Sequence, residues 1–278
     1  MRTAIVIFAK VPNTGDNKTR LTTKRGGILT LEEAKDFYEA SLLDVIDSCL
    51  TANCGDIYIC QNLSGNKDYM NHIVASSFGN RAVKEIFTDE GCSFDQGMQY
   101  AVDYIFKGGS DQRLADSVFI VGGDTPTLQP ATLREAVQKL KQLASSPRAL
   151  ACAQRTNLLK PAIGAGLVES VDQEGGFNLI GYTYATPFSF NGVFYNENGI
   201  TALDMIAYKV AEQQIPIGLV EMIPDIDLPA DLASLLPVLN TLKLVQQCDA
   251  TVVLPKRTIH YLEEIGLQTT AHVSTITD

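Results

Sequence analysis

Three polar clusters carry residue types that could do chemistry, and each follows an apolar run. The first, Phe8 to Leu21, reads F-A-K-V-P-N-T-G-D-N-K-T-R-L. Lys10, Lys18, Arg20, Lys24 and Arg25 fall within sixteen residues that hold a single acid, Asp16. A solvated loop is the ordinary reading of such a run, but here the chain as a whole carries a net charge of −10, which makes a local basic cluster more informative. A loop of this kind delivered by a strand can cradle phosphate, with backbone amides and cations converging on anionic oxygens. Lys18 would act as a compact charge and Arg20 as a fork able to bridge two oxygens. The loop has neither the spacing of a Walker lysine loop nor a G-x-G-x-x-G, so neither standard fingerprint applies.

The second cluster is V-G-G-D-T-P-T-L, Val121 to Leu128. Its Asp124 follows an apolar run, and the two glycines would let a ligand approach the backbone closely. An aspartate there either caps a turn or binds a metal. The third is I-P-D-I-D-L-P-A-D-L, Ile223 to Leu232. On an extended segment Asp225 and Asp227 point in opposite directions, so one of them is expected to face a shared site. Asp231 reads as the N-cap of a following helix. Asp124 with Asp225 or Asp227 would form a two-carboxylate site for Mg²⁺ or Mn²⁺, whose other ligands are water and substrate phosphate.

The elements that must position these clusters alternate. Thr3 to Ala9 is a continuous β-branched and aromatic run, as expected for a buried parallel strand. Thr30 with Glu33 is a capping box opening a helix over about 31–50. Strands are expected at Gly55 to Cys60, Val83 to Phe87 and Ser117 to Val121. Helices are expected at Asp68 to Phe78, at Ser93 to Phe106 and from Pro130 onward. This alternation predicts a doubly wound, mostly parallel α/β sheet. The second half is less regular: strands at Arg148 to Gln154, Gly166 to Val171, Phe177 to Tyr184 and Ile217 to Met222; helices at Ile200 to Gln213, Asp231 to Gln247 and Pro255 to Ile265. One domain with a C-terminal helical extension is the simplest organisation.

Four segments in this order resemble a known family: residues 8–21, G-G-D-T-P at 122–126, E-G-G-F-N-L-I-G at 174–181, and D-I-D-L-P-A-D-L at 225–232. Together they resemble the GT-A-fold transferases that carry F-A-K-x-P-x-x-G-x-x-K-T-R-L, described as radical-SAM/selenodomain-associated transferase 1, in the nucleotide-diphospho-sugar transferase superfamily. That superfamily also includes guanylyltransferases. The resemblance covers about residues 1–235 and leaves 236–278 as the helical extension. It implies a three-layer α/β/α fold and a nucleotide or nucleotide-sugar donor bound over the first loop. Lys10, Gly15, Lys18 and Arg20 then match phosphate-binding positions, while Asp124 and Asp227 match positions for Mg²⁺ or Mn²⁺. Two departures stand out. Gly123 replaces a serine of the family's G-S-D-x-P, and Glu174-Gly175-Gly176-Phe177 replaces D-G-G-Y.

The implied activity is metal-dependent transfer to a small acceptor, with a slight preference for glycosyl over nucleotidyl transfer. In the glycosyl version, Glu174 or Asp172 is the nearest candidate base; Asp124 and Glu174 are the candidate catalytic pair. A nucleotide-binding module that has lost catalysis is the rival. The aromatics of the second half, Phe177, Tyr182, Tyr184, Phe188, Phe190, Phe194 and Tyr195, either line an acceptor pocket or belong to the core.

Composition narrows the classes further. The acidic balance argues against nucleic acid or an anionic membrane as partner. Six scattered cysteines with no C-x-x-C, and three histidines far apart in sequence, match no transition-metal spacing. The N-terminal apolar hexad Ala4 to Ala9 is too short for a signal-peptide core or a membrane span, and the expected location is the cytoplasm.

Overall fold

The computed structural model describes residues 1–155, 162–196 and 199–269. Seven strands form one sheet in the order β3-β2-β1-β4-β6-β5-β7. They are β1 (Thr3–Ala9), β2 (Asp56–Gln61), β3 (Glu85–Thr88), β4 (Ser117–Gly122), β5 (Leu167–Val171), β6 (Phe177–Thr183) and β7 (Ile217–Leu219). β1 runs parallel to both β2 and β4, and β2 parallel to β3. β6 runs antiparallel to β4 and β5, and β7 pairs parallel with β5. The sheet is thus mostly parallel, as expected.

β1 is central because it can be: Ala4, Ile5, Val6 and Ile7 are fully buried, apolar on both faces, the pattern of a strand covered by helices on each side. On one face lie α1 (Leu31–Ala52), α2 (Lys67–Phe78) and α4 (Pro130–Ala144), packed on Ile5, Ile7, Phe119 and Val121. On the other lie α3 (Phe94–Phe106), α5 (Pro147–Gln154) and α6 (Ala202–Glu212), packed on Val6, Val118, Ile120 and Ile180. The three-layer α/β/α arrangement is therefore present. α1 begins at the expected capping box: Glu33 N donates to Thr30 Oγ1 at 3.1 Å, and Thr30 N to Glu33 Oε2 at 2.7 Å.

Two expectations are corrected. Arg148 to Gln154 is helix α5, not a strand; Pro147 sits in its first turn and Ser146 Oγ accepts from Ala149 N at 3.2 Å, a start signal that overrides a short apolar run. The next helix, α7 (Pro229–Cys248), starts before Asp231. Asp231 is its third residue and caps from inside, accepting from Asp227 N at 3.1 Å and Leu228 N at 2.7 Å.

The last helix, α8 (Lys256–Glu264), packs beside α1. Its first turn is held by buried Asp44 on α1, which accepts from Thr258 N at 2.8 Å and Arg257 N at 3.2 Å. A third apolar cluster joins Leu21 and Leu29 of the first loop, Phe37 of α1, Ile226, Leu232 and Leu239 of the C-terminal region, and Leu262 of α8. No helix is long and apolar enough to cross a membrane among the described residues.

Candidate functional site

After β1 the chain goes to β2 and β3 on one side, whereas β4 lies on β1's other side. The carboxyl ends of β1 and β4 are therefore a topological switch point, where open α/β sheets form their ligand crevice. The first loop leaves β1 there, and Asp124 follows β4.

Lys18 is the centre of the cluster. Its side chain is only 4% exposed, with Nζ 2.7 Å from Asp124 Oδ2 and 2.6 Å from Asp227 Oδ1. Its backbone is left-handed, φ 47°, and caps the 3₁₀ turn Thr19–Leu21. A non-glycine residue there costs on the order of 1 kcal/mol, a local strain that the two ion pairs offset. Burial alone would lower the Lys18 pKa, but Asp124 and Asp227 override it and hold the ammonium above its ordinary value. Asp227 shows the converse: burial would raise its pKa, yet Lys18, then Arg20 and Lys10, pull it below the usual carboxylate range. Arg20 approaches Asp227 Oδ2 at 3.4 Å from an exposed position.

Asp225 belongs to the site as well. Carboxylate oxygens of Asp124, Asp225 and Asp227 all lie within 4.8 Å of one another. The expectation that only one of Asp225 and Asp227 could face the site is thus corrected. Residues 220–227 form no regular strand, so strict alternation of side chains does not apply to them. Burial, then Asp227 and Asp124, push Asp225 up to about 7, with Lys18 opposing. Three carboxylates against one ammonium form a hard oxygen-donor set with charge to spare, which fits Mg²⁺ or Mn²⁺.

Lys10 is exposed, and its backbone is fixed by a residue that sequence reasoning missed. The buried Tyr38 hydroxyl accepts from Lys10 N at 2.9 Å and donates to Lys10 O at 3.1 Å. Burial, then Asp124, raise the Tyr38 pKa, so the hydroxyl stays neutral. Asn62 was missed too; its Oδ1 accepts from Val11 N at 2.7 Å. Gly15 has φ 90° and open space around it, so it allows the turn rather than a close approach. Gly123 is different: a Cβ there would lie 2.9 Å from Ala9 Cβ and 3.0 Å from Leu42 Cδ1. A serine at this position would have to displace Ala9 or Leu42.

Glu174 stays outside the carboxylate cluster. It is exposed on the turn after β5, its amide donating to Asp172 Oδ1 at 2.8 Å. Asp172 also accepts from Gly176 N at 2.8 Å, and it is close enough to Asp225 to add to that group's upward shift. Beside the first loop, a polar cavity of about 360 Å³ is lined by Asn13, Thr14, Lys35, Asn62, Asn66 and Tyr69, among others.

A family described as "uncharacterized protein conserved in bacteria (DUF2064)" matches residues 45–197. The chain belongs to this family. The matched span contains Asp124 and Glu174 but neither the first loop nor Asp225 and Asp227. No curated protein matches the chain. Among solved structures, a candidate nucleotide-diphospho-sugar transferase from Desulfovibrio desulfuricans G20 superposes with a TM-score of 0.67 at 18% identity, covering 95% of this chain and 98% of that one. That likeness establishes the fold as the GT-A type. A cytidylyltransferase from Leptospira borgpetersenii serovar Hardjo-bovis superposes with a TM-score of 0.48 at 13% identity, covering 98% of this chain and 100% of that one.

Proposed function

We propose that the chain is a metal-dependent transferase that uses a nucleotide-linked donor, with a nucleotide sugar preferred and a small molecule as acceptor. The observation that carries this reading is the convergence of Lys18, Asp124, Asp225 and Asp227 at the switch point of a GT-A-type sheet. A cation buried among three carboxylates has little use in stabilising a fold, since apolar packing would serve as well. It makes sense where anionic phosphate and a divalent cation must be held together.

Asp124, Asp225 and Asp227 would hold Mg²⁺ or Mn²⁺, which when bound would neutralise charge growing on a diphosphate leaving group. The first loop would then grip phosphate: Lys10 and Arg20 are exposed beside the carboxylates, Arg20 holding only a 3.4 Å contact to Asp227 that it could exchange for a phosphate oxygen, with Lys18 behind them. The polar cavity lined by Asn13, Asn62 and Asn66 is of a size to take a nucleobase. Positioning and electrostatics would be the protein's contribution. Glu174 and Asp172 lie on the acceptor side; of the two, Asp172 is committed to its turn and Glu174 is exposed, so Glu174 is the better candidate for receiving an acceptor proton.

Calorimetry with Mg²⁺ and a panel of nucleoside di- and triphosphates tests the reading. Metal-dependent binding is expected, and Asp124→Asn should abolish the dependence while the thermal transition persists. Absence of metal-dependent nucleotide binding in the native chain would overturn it. Incubation with donor panels then separates the chemistries: nucleoside diphosphate release supports glycosyl transfer, and pyrophosphate release supports nucleotidyl transfer.

A further inference from the structure

On the α3 and α6 side of the same sheet edge, five aromatic rings form a continuous strip. Phe8, near the end of β1, meets Phe94 edge-on with ring centres 5.6 Å apart. Phe94 opens α3 and meets Phe194 at 4.7 Å and Tyr195 at 6.4 Å. Phe194 in turn lies 5.5 Å from Phe177, the first residue of β6. Tyr182, Phe188 and Phe190 are buried and belong to the core. The strip is another matter: Phe8, Phe177 and Phe194 are half-buried, Phe94 is 44% exposed and Tyr195 is 93% exposed.

The frame beneath the strip is fixed. Asp95 Oδ2 accepts from Gly192 N at 2.7 Å, and its Oδ1 from Phe194 N at 2.8 Å. Lys209 Nζ donates to the carbonyls of Asn191 at 2.6 Å and Ser189 at 3.2 Å. Phe190 N donates to Gln99 Oε1 at 3.0 Å. Tyr195 holds a left-handed backbone, φ 48°, which for a bulky aromatic is unfavourable. Rings presented on such a frame lose little freedom when a ligand settles on them, so a contact made there is not spent on ordering the protein.

The strip is also joined to the carboxylate cluster. Phe8 O accepts from Gly123 N at 3.2 Å, one residue before Asp124. At the other end, Phe177 follows directly on the turn that carries Asp172 and Glu174. An exposed apolar strip that ends on polar groups at both sides is the usual form of a binding surface.

We propose that Phe8, Phe94, Phe177, Phe194 and Tyr195 form the acceptor subsite, and that it takes a neutral, hydroxylated ring of hexose size. The proposal rests on the transferase reading. Aromatic faces carry negative charge density and attract the weakly positive C–H face of a saturated ring. The hydroxyls around such a ring would donate to the carboxylates that flank the strip. Glu174, exposed on the turn that leads into Phe177 and outside the cation-holding cluster, would repel an anionic acceptor, so a neutral one is favoured.

Saturation-transfer NMR on the full chain with D-glucose, D-galactose, D-mannose and myo-inositol tests this, with Mg²⁺-nucleotide calorimetry on the same samples. At least one ring compound should receive saturation on its C–H protons. Tyr195→Phe should retain that binding, whereas Tyr195→Asn, which keeps a residue tolerant of the left-handed backbone, should weaken it at least fivefold. Phe94→Leu gives an independent check and should weaken it similarly. Nucleotide binding with no ring compound bound, or equal ring binding by the native chain and Tyr195→Asn, would overturn the proposal. Concentration-dependent dimerisation lost in Tyr195→Asn, in place of ring binding, would assign the strip to a second copy and overturn it too. Absence of nucleotide binding, by contrast, would count against the transferase reading itself.

Discussion

Lys18 Nζ lies 2.6 Å from Asp227 Oδ1 across 209 residues of sequence. With Asp124 at 2.7 Å on its other side, the ammonium serves as an internal counter-ion for carboxylates that would otherwise repel one another. Lys18→Met should therefore destabilise the metal-free protein. The loss is expected to be about 2 kcal/mol, less than for a fully buried pair because Asp124 and Asp227 each keep about a third of their surface in water. Mg²⁺ should raise the melting temperature of Lys18→Met more than that of the native chain, because the ion restores the missing charge. Calorimetric scans in EDTA and in Mg²⁺ decide it; equal shifts in the two proteins would remove the counter-ion role.

Asp225 would give the proposed metal site a pH dependence. Burial first, and then Asp227 and Asp124, raise its pKa to about 7, so below neutrality it carries a proton that a hard cation must displace. Mg²⁺ affinity should rise as pH increases through about 7 and level off above it. Asp225→Asn should bind Mg²⁺ more weakly and without that rise. Titration calorimetry on both sides of neutrality measures this, and a native affinity independent of pH would contradict it.

Glu169 sits on β5 with 2% of its surface exposed, and its Oε2 has no hydrogen-bond partner among the described residues. Burial alone pushes its pKa from 4.5 to about 7. The folded state thus favours the neutral acid, so this residue's contribution to stability is complete below pH 4.5 and is lost as pH rises through about 7. The loss is on the order of 3 kcal/mol at most. Glu169→Gln cannot ionise. Urea curves from mildly acidic to mildly alkaline pH should show the native chain losing more stability than the variant, in which Asp225 still titrates in that window; parallel behaviour would show that Glu169 is solvated.

Gly123→Ser would introduce the serine of the G-S-D-x-P motif that this segment resembles and yet destabilise this chain. The added Cβ meets Ala9 and Leu42 at 3.0 Å or less, an overpacking expected to cost about 1–3 kcal/mol. Leu42→Ala opens space, so the double variant should be more stable than the sum of the two single losses predicts. Additive losses in melting temperature would mean that Leu42 does not occupy the space the serine needs.

Much of this molecule is legible in its sequence, for identifiable reasons. β1 and β4 are runs of β-branched and aromatic residues that only a doubly covered strand can bury, and Thr30 with Glu33 announces α1. The same runs place Lys18 and Asp124 at strand ends. Reading failed where local pattern and tertiary context part. Arg148 to Gln154 is too short and too uniformly apolar to reveal a period, and the capping serine before it carried the decisive signal. Asp225 and Asp227 read as alternatives because alternation presupposes a regular strand. Tyr38 looks like one more core residue of α1, since nothing in its neighbours says that its hydroxyl reaches Lys10. The strip from Phe8 to Tyr195 draws on four separate segments, a proximity that no spacing encodes.

The apolar cluster that joins Leu21 and Leu29 to Ile226, Leu232 and Leu262 has a consequence in time. A chain made from its N-terminus at about 5–20 residues per second emits the first loop roughly 10–40 s before Asp227 follows. Until then Lys18 has only Asp124 to answer it, and Leu21 lacks the C-terminal side chains that cover it. The central strands can assemble early, but the site waits until Asp225 and Asp227 have been synthesised. A nascent chain stalled short of residue 226 should therefore own a sheet without a working crevice, and its basic loop would stand open to chaperones or to any anion at hand.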